Sequence, residues 1–405
     1  MRAKAAVVTA SINAWDDYLL GKPMNRIAER RIFKKTTAPI SPFTKTALVL
    51  QGGGALGAYQ AGVHEVLSEA GYEPHWIAGI SIGGINAAII VGNKPEDRLP
   101  RLKDFWQEIT PQLVAPPAEL GEASHQTFNR ISALATAFFG VPGFFRPRFP
   151  PAFVQPQAAP GALSFYDTSP LRATLERLID FDLINSDRTP RLSLGAVNVR
   201  SANFIYFDNR DRNITVDHVM ASAALPPAFP PIEIEGEHFW DGGIVSNTPL
   251  SYVLGEGPKE DTLVFQVDLF GTRGEMPRDL PEVEQRRKDI SYSSRTRLNT
   301  DNYHQKHILR RAIADLYQHL PSDLKQRPEI QALRAYGEHH AVSIVHLIYR
   351  RKNYEYHSKD WEFSRASMRE HWQAGVNDTR RTLRYQSWSK VPAEGVQVFD
   401  LMHVA

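Results

Sequence analysis

The sequence predicts an α/β fold with a mainly parallel central sheet, and three observations predict it. Residues 46–50, 75–80 and 262–269 are short apolar runs without alternation, the mark of strands covered on both faces. The first two runs end in turns of small residues, beginning at Gly52 and Ser81. Each turn feeds a stretch with helical spacing, so the chain opens as a βαβα series, which belongs to a parallel sheet flanked by helices.

Taken in order, residues 1–43 hold no sustained pattern, pass through Arg30, Arg31, Lys34 and Lys35, and read as an arm. The strand at 46–50 leads through the glycines from Gly52 to Gly57 into a helix over 58–70. That helix places Val63, Val66, Leu67 and Ala70 on one side and stops at Gly71. The strand at 75–80 turns sharply at Ser81 into a helix of small residues at 85–90. Residues 113–162 have another texture: Phe138, Phe139, Phe144, Phe145, Phe149 and Phe153 stand among Pro142, Pro147, Pro150 and Pro151, which reads as an inserted cap. Regular structure resumes with a helix after Pro170, strands at 192–199 and 203–207, a helix near 216–224, a hairpin near 232–240 and the strand at 262–269. These elements complete a domain over residues 44–270.

Residues 271–405 carry apolar faces of their own and are expected to form a smaller, mostly helical extension. One helix aligns Ile308, Leu309, Ile313, Leu316, Tyr317 and Leu320; a buried strand follows at 342–349; Ser364 is placed to cap a helix carrying Met368, Trp372 and Val376.

Composition narrows the class. A chain of 405 residues, 42% apolar and 23% charged, is long enough for two or three globular units at about 150 residues each. Zero cysteines exclude thiol catalysis, disulfides and cysteine-based metal centres. No run of 18 apolar residues occurs, and the apolar stretch at 5–10 is short for an export signal, so the expected location is the cytoplasm, with peripheral contact at membranes or lipid inclusions. Net charge is +2, yet residues 286–405 carry 21 Lys and Arg against 13 Asp and Glu, an excess of 8. A basic C-terminal third suits an anionic lipid surface or an acidic protein face. No helix-turn-helix, zinc finger or aromatic RNA platform accompanies it, so nucleic acid is not an expected partner.

Three motifs carry chemistry. Gly79-Ile80-Ser81-Ile82-Gly83 is a G-x-S-x-G between a strand and a helix, where a strained turn exposes the serine oxygen near a helix N-terminus. Gly52-Gly53-Gly54-Ala55-Leu56-Gly57 lets successive backbone N–H groups converge on a phosphate or an oxyanion. Gly52, Gly54 and Gly57 also satisfy G-x-G-x-x-G. A dinucleotide site, however, wants a carboxylate at the end of the second strand, where Ser81 stands and Glu73 lies too early. Trp240-Asp241-Gly242-Gly243, followed by Thr248 as cap of a helix from Pro249, supplies a carboxylate that could activate the serine within hydrogen-bond reach.

In this order the three motifs resemble the patatin-like phospholipase family, whose pattern is a G-G-G-x-x-G turn, a G-x-S-x-G elbow and a D-G-G or D-G-A motif. The stretch from Ala221 to Pro231 also looks like the family's segment ahead of the aspartate. The resemblance covers about residues 44–270. It implies a three-layer fold, a Ser81/Asp241 dyad, an oxyanion hole at Gly52, Gly53 and Gly54, and supporting roles for Gly57, Gly79, Gly83, Gly242 and Gly243. It further implies acyl esters of lipids as substrates, with no metal or organic cofactor. The C-terminal part looks like an extension carried by some bacterial members.

Alternatives stay open at this level. Nine histidines lie between His304 and His403, so a Ser-Asp-His triad is available; His238, close to Asp241 in sequence, could tune it, while His64, His75 and His218 read as core or surface residues. His304, His307, His339 and His340 lack carboxylate partners in sequence for a metal site. The phenylalanine-rich cap reads equally as packed cover or as a lid over an acyl groove. Arg350, Arg351, Lys352, Arg380 and Arg381 read as solvated faces or as a docking surface, and the apolar faces after residue 305 as a route to homo- or hetero-oligomers. A non-catalytic lipid-binding or scaffolding protein is the rival reading, and intact Ser81 and Asp241 weigh against it.

Overall fold

The computed structural model describes residues 42–111, 121–157, 159–256, 260–350, 359–385, 387–392 and 395–400. Residues 1–41 of the expected arm, and Arg351 and Lys352, lie outside them.

Among the described residues, nine strands form one sheet: β1 (Lys45–Leu50), β2 (Trp76–Gly79), β3 (Arg191–Asn198), β4 (Phe204–Asp208), β5 (Ile232–Ile234), β6 (Glu237–Asp241), β7 (Thr262–Asp268), β8 (Val342–Ile348) and β9 (Val396–Phe399). Their spatial order is β9-β8-β7-β1-β2-β3-β6-β5, with β4 on the other edge of β3. Pairings from β9 to β3 are all parallel, as the buried apolar runs require. β4, β6 and β5 add an antiparallel end.

Alternation along β1 divides the core into two layers. Leu48 and Leu50 face one side, where the helices Ala58–Glu69, Ile82–Val91 and Arg365–Arg384 pack; Ala47 and Val49 face the other, under Leu250, Val253, Leu254 and Tyr303. Helix, sheet and helix make the three layers.

Residues 271–405 do not stand apart. β8 and β9 extend the same sheet beyond β7, and the helix Arg365–Arg384 lies on Ala58–Glu69 with backbones nearly touching. A Cβ on Gly62 would collide with the Trp372 carbonyl, and one on Gly375 with the Tyr59 carbonyl. Ser364 caps this helix as expected, accepting from the Ser367 N–H (3.2 Å), and Met368, Trp372 and Val376 are buried. The charge change near residue 286 therefore marks a change of surface, while the hydrophobic core runs through.

The helix Thr296–His319 corrects an expectation. Its predicted inner face is largely turned to solvent, with Ile308, Leu309 and Leu316 exposed. The face that packs is Thr300, Tyr303 and His307, because Tyr303 enters the second core layer and its hydroxyl donates to the His340 carbonyl (2.9 Å). The cap region splits likewise. It holds the helix Gly121–Phe139 and a two-residue pairing of Arg146–Pro147 with Tyr166–Asp167; Phe144 and Phe145 are buried, whereas Phe138, Phe139, Phe149 and Phe153 are exposed.

One feature of the sheet brings the motifs together. A single edge of β3 is used twice: β2 pairs along its first half, up to Gly79 opposite Leu194, and β6 takes over from Ala196, which faces Asp241. Leu194 and Ala196 are two residues apart, about 7 Å along a strand. The C-terminal ends of β2 and β6 therefore meet, although their sequences are far apart.

The crossing of the two glycine-bearing helices is a sharp test of the shared core. Gly375→Val should lower unfolding free energy by about 1–3 kcal/mol or more through overpacking, seen as a lower urea midpoint. Wild type should unfold in one transition by both far-UV circular dichroism and tryptophan fluorescence.

Candidate functional site

Ser81 leaves β2 with φ 56° and ψ −129°, a region that residues with a Cβ rarely occupy. Its neighbours explain how the turn closes. A Cβ at Gly79 would strike the Gly83 carbonyl, and one at Gly83 would strike the Leu50 carbonyl, so only glycines permit so sharp a passage from strand to helix. The Ser81 N–H donates to the Ser222 carbonyl (3.0 Å), and the Ser222 hydroxyl donates to the Gly195 carbonyl (2.8 Å), tying the elbow back to β3. Gly57 lets this elbow approach the first turn, since a Cβ there would press on the Ile82 side chain.

The glycine turn after β1 is held from two directions. The Gly52 N–H donates to the Asn247 carbonyl (3.1 Å), and Asn247 Nδ2 returns a bond to the Gly52 carbonyl (3.0 Å). Gly54 has φ +54°, and any Cβ on it would run into the Asp360 carbonyl. Among the described residues the N–H groups of Gly53 and Gly54 have no hydrogen-bond partner, whereas that of Gly52 is taken. Of the three glycines expected as donors, Gly52 serves instead as the anchor. The buried Gln51 beneath them accepts from Leu269 N–H (2.6 Å) and Phe270 N–H (2.9 Å), and donates to Thr248 Oγ1 (2.8 Å) and the Tyr292 carbonyl (2.8 Å). Thr248 thus serves Gln51 and does not cap the helix Leu250–Gly255, whose N-cap is Pro249.

Asp241 ends β6 with its carboxyl fully buried. One oxygen, Oδ1, accepts the Gly243 N–H (2.7 Å). The other, Oδ2, is buried without a hydrogen-bond partner among the described residues. Loss of water drives the Asp241 pKa up from 3.8 to about 7, against the opposing pull of the Gly243 amide and the nearby Ser81 hydroxyl. Ser81 is thus close enough to favour the ionised carboxyl, although the pair lacks a hydrogen bond of ordinary geometry, as is common in sites without substrate. Gly242 and Gly243 give the carboxyl room: a Cβ on Gly242 would meet the Gly195 carbonyl, and one on Gly243 the Asp241 and Asn247 side chains.

Ser81, Asp241 and the glycine turn line one open cleft. Seven aromatic side chains from distant parts of the chain also line it: Phe144 and Phe145 from the cap, Phe229, Phe270 and Tyr292, and Trp361 and Phe363 from the C-terminal part. The last two had no signal in sequence; nor did Asn247 and Gln51, whose roles are made by contacts across the fold.

A reciprocal pair of ion pairs holds the C-terminal wall. Lys288 reaches Asp360 (2.7 Å) and Lys359 reaches Asp289 (3.0 Å), so two Lys-Asp dipeptides cross-link the helix Leu280–Ser291 to the turn Lys359–Trp361. The Lys359 ammonium also lies 5.1 Å from the Phe270 ring centre. This clamp seats the Asp360 carbonyl against Gly54.

The described histidines stand elsewhere. His238 is exposed, 4.0 Å from Glu233; His346 bonds Asp268 (2.6 Å); His371 packs on Tyr349; His307 packs on His339. His64 and His218 are buried, and desolvation lowers their pKa values to about 3 and about 4.

Comparison with known proteins bears on this arrangement. A family profile described as patatin-like phospholipase matches residues 48–254, which contain every motif above, and a second, described as patatin phospholipase, matches residues 290–395. The chain belongs to the patatin-like phospholipase family. A curated relative, a cGAMP-activated phospholipase of Escherichia coli (strain TW11681), is 33% identical over 98 residues, 22% of this chain and 27% of that protein. The chain therefore aligns with about a quarter of that relative's length. The crystal structure of VipD from Legionella pneumophila overlaps 85% of this chain and 67% of its own at 14% identity, with a TM-score of 0.36. Among the described residues, no helix is long and apolar enough to cross a membrane.

If the clamp holds the wall, its loss should be local first. Lys288→Ala with Lys359→Ala is expected to raise amide hydrogen exchange at least tenfold around residues 359–364, while protection of β1 and β7 changes little.

Proposed function

We propose that this family member is a serine lipid acyl hydrolase working through Ser81 and Asp241. The observation that carries the reading is a strained, cleft-facing serine beside a desolvated carboxyl with one unpaired oxygen. Ser81 Oγ attacks the ester carbonyl carbon as Asp241 Oδ2 takes its proton; the carbonyl π pair moves onto oxygen, where the N–H groups of Gly53 and Gly54 receive the charge. Collapse expels the alcohol, which recovers the proton from Asp241, and leaves an acyl-serine. Water, deprotonated by the same carboxylate, then releases the fatty acid and restores the hydroxyl.

The environment suits both halves of Asp241's task. A carboxylate near its ordinary pKa is a weak base at neutral pH, whereas one that titrates at about 7 gains proton affinity and is still half ionised there. The Gly243 amide fixes Oδ1, which leaves the protonating oxygen directed by default. No described histidine contacts the carboxyl, which supports a dyad over a triad. The seven aromatic side chains around the cleft fit an acyl chain better than a polar substrate. We further propose residues 44–270 as the catalytic portion, with residues 271–405 completing its cleft.

Ser81→Ala and Asp241→Asn should each reduce hydrolysis of a p-nitrophenyl acyl ester by at least about 10³-fold, with unfolding midpoints near wild type. Undiminished turnover in Ser81→Ala would overturn the assignment. The sign of the pH dependence follows from Asp241: the working form is the carboxylate, so kcat/KM should fall about tenfold per unit below pH 6 and level off above pH 8, with an apparent pKa of about 7. Gly54→Ala, which forces both φ +54° and a clash with Asp360, should reduce kcat more than it raises KM.

A further inference from the structure

The C-terminal half of the helix Gly121–Phe139 turns apolar side chains to water. Ile131, Leu134 and Phe138, spaced i, i+3 and i+7 on one face, are exposed, while Ser132 and Thr136 are buried. Ser132 is satisfied there, donating to the buried Glu362 carboxyl. The helix ends in Phe139, 82% exposed, and the chain then dips inward through Phe144 and Phe145, which line the cleft, before returning to the surface. The returning loop carries Phe149, 96% exposed, and Phe153, 83% exposed, with Val154, Leu163 and Phe165 also in solvent.

Both apolar segments hang on one short hairpin. Arg146 and Pro147 pair with Asp167 and Tyr166, the Tyr166 hydroxyl donates to the Ala137 carbonyl (2.9 Å), and the Arg148 N–H donates to the Phe165 carbonyl (3.1 Å). Four nearly naked phenylalanines around one hairpin, beside the aromatic walls of the cleft, are far outside the scattered apolar exposure of an ordinary soluble surface.

The charge of the region selects the occupant. Residues 121–167 contain Arg130, Arg146 and Arg148 against Glu122 and Asp167, a net charge of +1. Arg146 is held by Asp167 (2.9 Å) and Arg148 by the Ser164 hydroxyl (3.0 Å), which fixes them at the base of the phenylalanine-bearing loop. Aromatic side chains projecting beyond a basic collar match a bilayer, whose anionic headgroups lie outside its hydrocarbon.

We propose that this surface, Phe138 and Phe139 with Phe149 and Phe153 over the arginine collar, inserts into the leaflet of an anionic phospholipid bilayer. It rests on the acyl hydrolase reading for its purpose: Phe144 and Phe145, between the two inserted segments, continue the apolar path to Ser81, so an acyl chain can pass from leaflet to cleft without crossing water. The sequence offers the basic C-terminal third for an anionic lipid surface or an acidic protein face; this proposal places membrane contact at the cap.

The test measures binding separately from chemistry. Wild type, Phe149→Ser/Phe153→Ser and Phe138→Ser/Phe139→Ser are sedimented with vesicles of phosphatidylcholine and phosphatidylglycerol (3:1) and of phosphatidylcholine alone. Turnover of a soluble short-chain p-nitrophenyl ester is followed in parallel. Wild type is expected to favour the anionic vesicles, each double variant to lose at least tenfold in vesicle partitioning, and soluble-ester kcat/KM to stay within twofold. Vesicle binding unchanged in both variants, or equal binding to both vesicle types, would overturn the proposal. So would absence of binding together with wild-type oligomers by light scattering that the variants abolish, since the face would then join copies of the chain. Vesicle binding lost in the variants while wild type hydrolyses no ester would uphold the surface and defeat the catalytic reading.

Discussion

The arrangement depends on a carboxyl group denied water. Asp241 is 1% exposed, one oxygen is held by a single backbone amide, and the other has only the Ser81 hydroxyl beside it to favour its charge. Burial without a cation is expensive for a carboxylate, and a fold keeps such a group only where its surroundings leave no alternative position. Here those surroundings are the strand ends themselves. Because β2 and β6 share one edge of β3, the backbone that places Asp241 is the backbone that places Ser81. The strained φ of Ser81 and the carbonyl contacts of Gly79 and Gly83 then fix where the hydroxyl emerges.

The second constraint is that the cleft is assembled by the whole chain. Gln51 binds the glycine turn to the end of β7 and to Tyr292, Asn247 binds it to the segment after Asp241, and the crossed Lys-Asp pairs set Asp360 against Gly54. Ion pairs this sheltered contribute less to stability than to geometry, since each charge lost water to form them. Their position suggests geometry is the point: they hold Trp361 and Phe363 where the cleft needs a wall. The region after residue 271 is thus part of the site's structure.

What could be read from the sequence, and what could not, follows from the range of each interaction. The parallel strands, the elbow and the glycine turn were legible because their signals are local: an apolar run, a glycine where a carbonyl comes close, a turn before a helix. Ser364 as a helix cap was legible for the same reason. The shared edge of β3 was not, since strand order is decided by pairings far apart in sequence. The face of Thr296–His319 was misread because spacing reports which residues are apolar, while the sheet beneath decides which side is covered; Tyr303 won through its packing and its bond to His340. Thr248 looked like a cap and serves Gln51, a partner 197 positions away. The change of texture beyond residue 270 suggested a boundary that the core ignores, and the cap's phenylalanines divided between wall and surface in a way their spacing among prolines could not reveal.

The most direct measurement is the ionisation of Asp241 itself, free of any substrate. Carboxyl ¹³C signals of aspartate-labelled protein, followed from pH 3 to 9 with Asp241→Asn supplying the assignment, report it without reference to turnover. The account predicts one aspartate that titrates near 7, and a shift of that midpoint in Ser81→Ala, where a neighbour that favours the charged form is gone. An Asp241 that titrates near the ordinary 3.8, indifferent to Ser81, would contradict it.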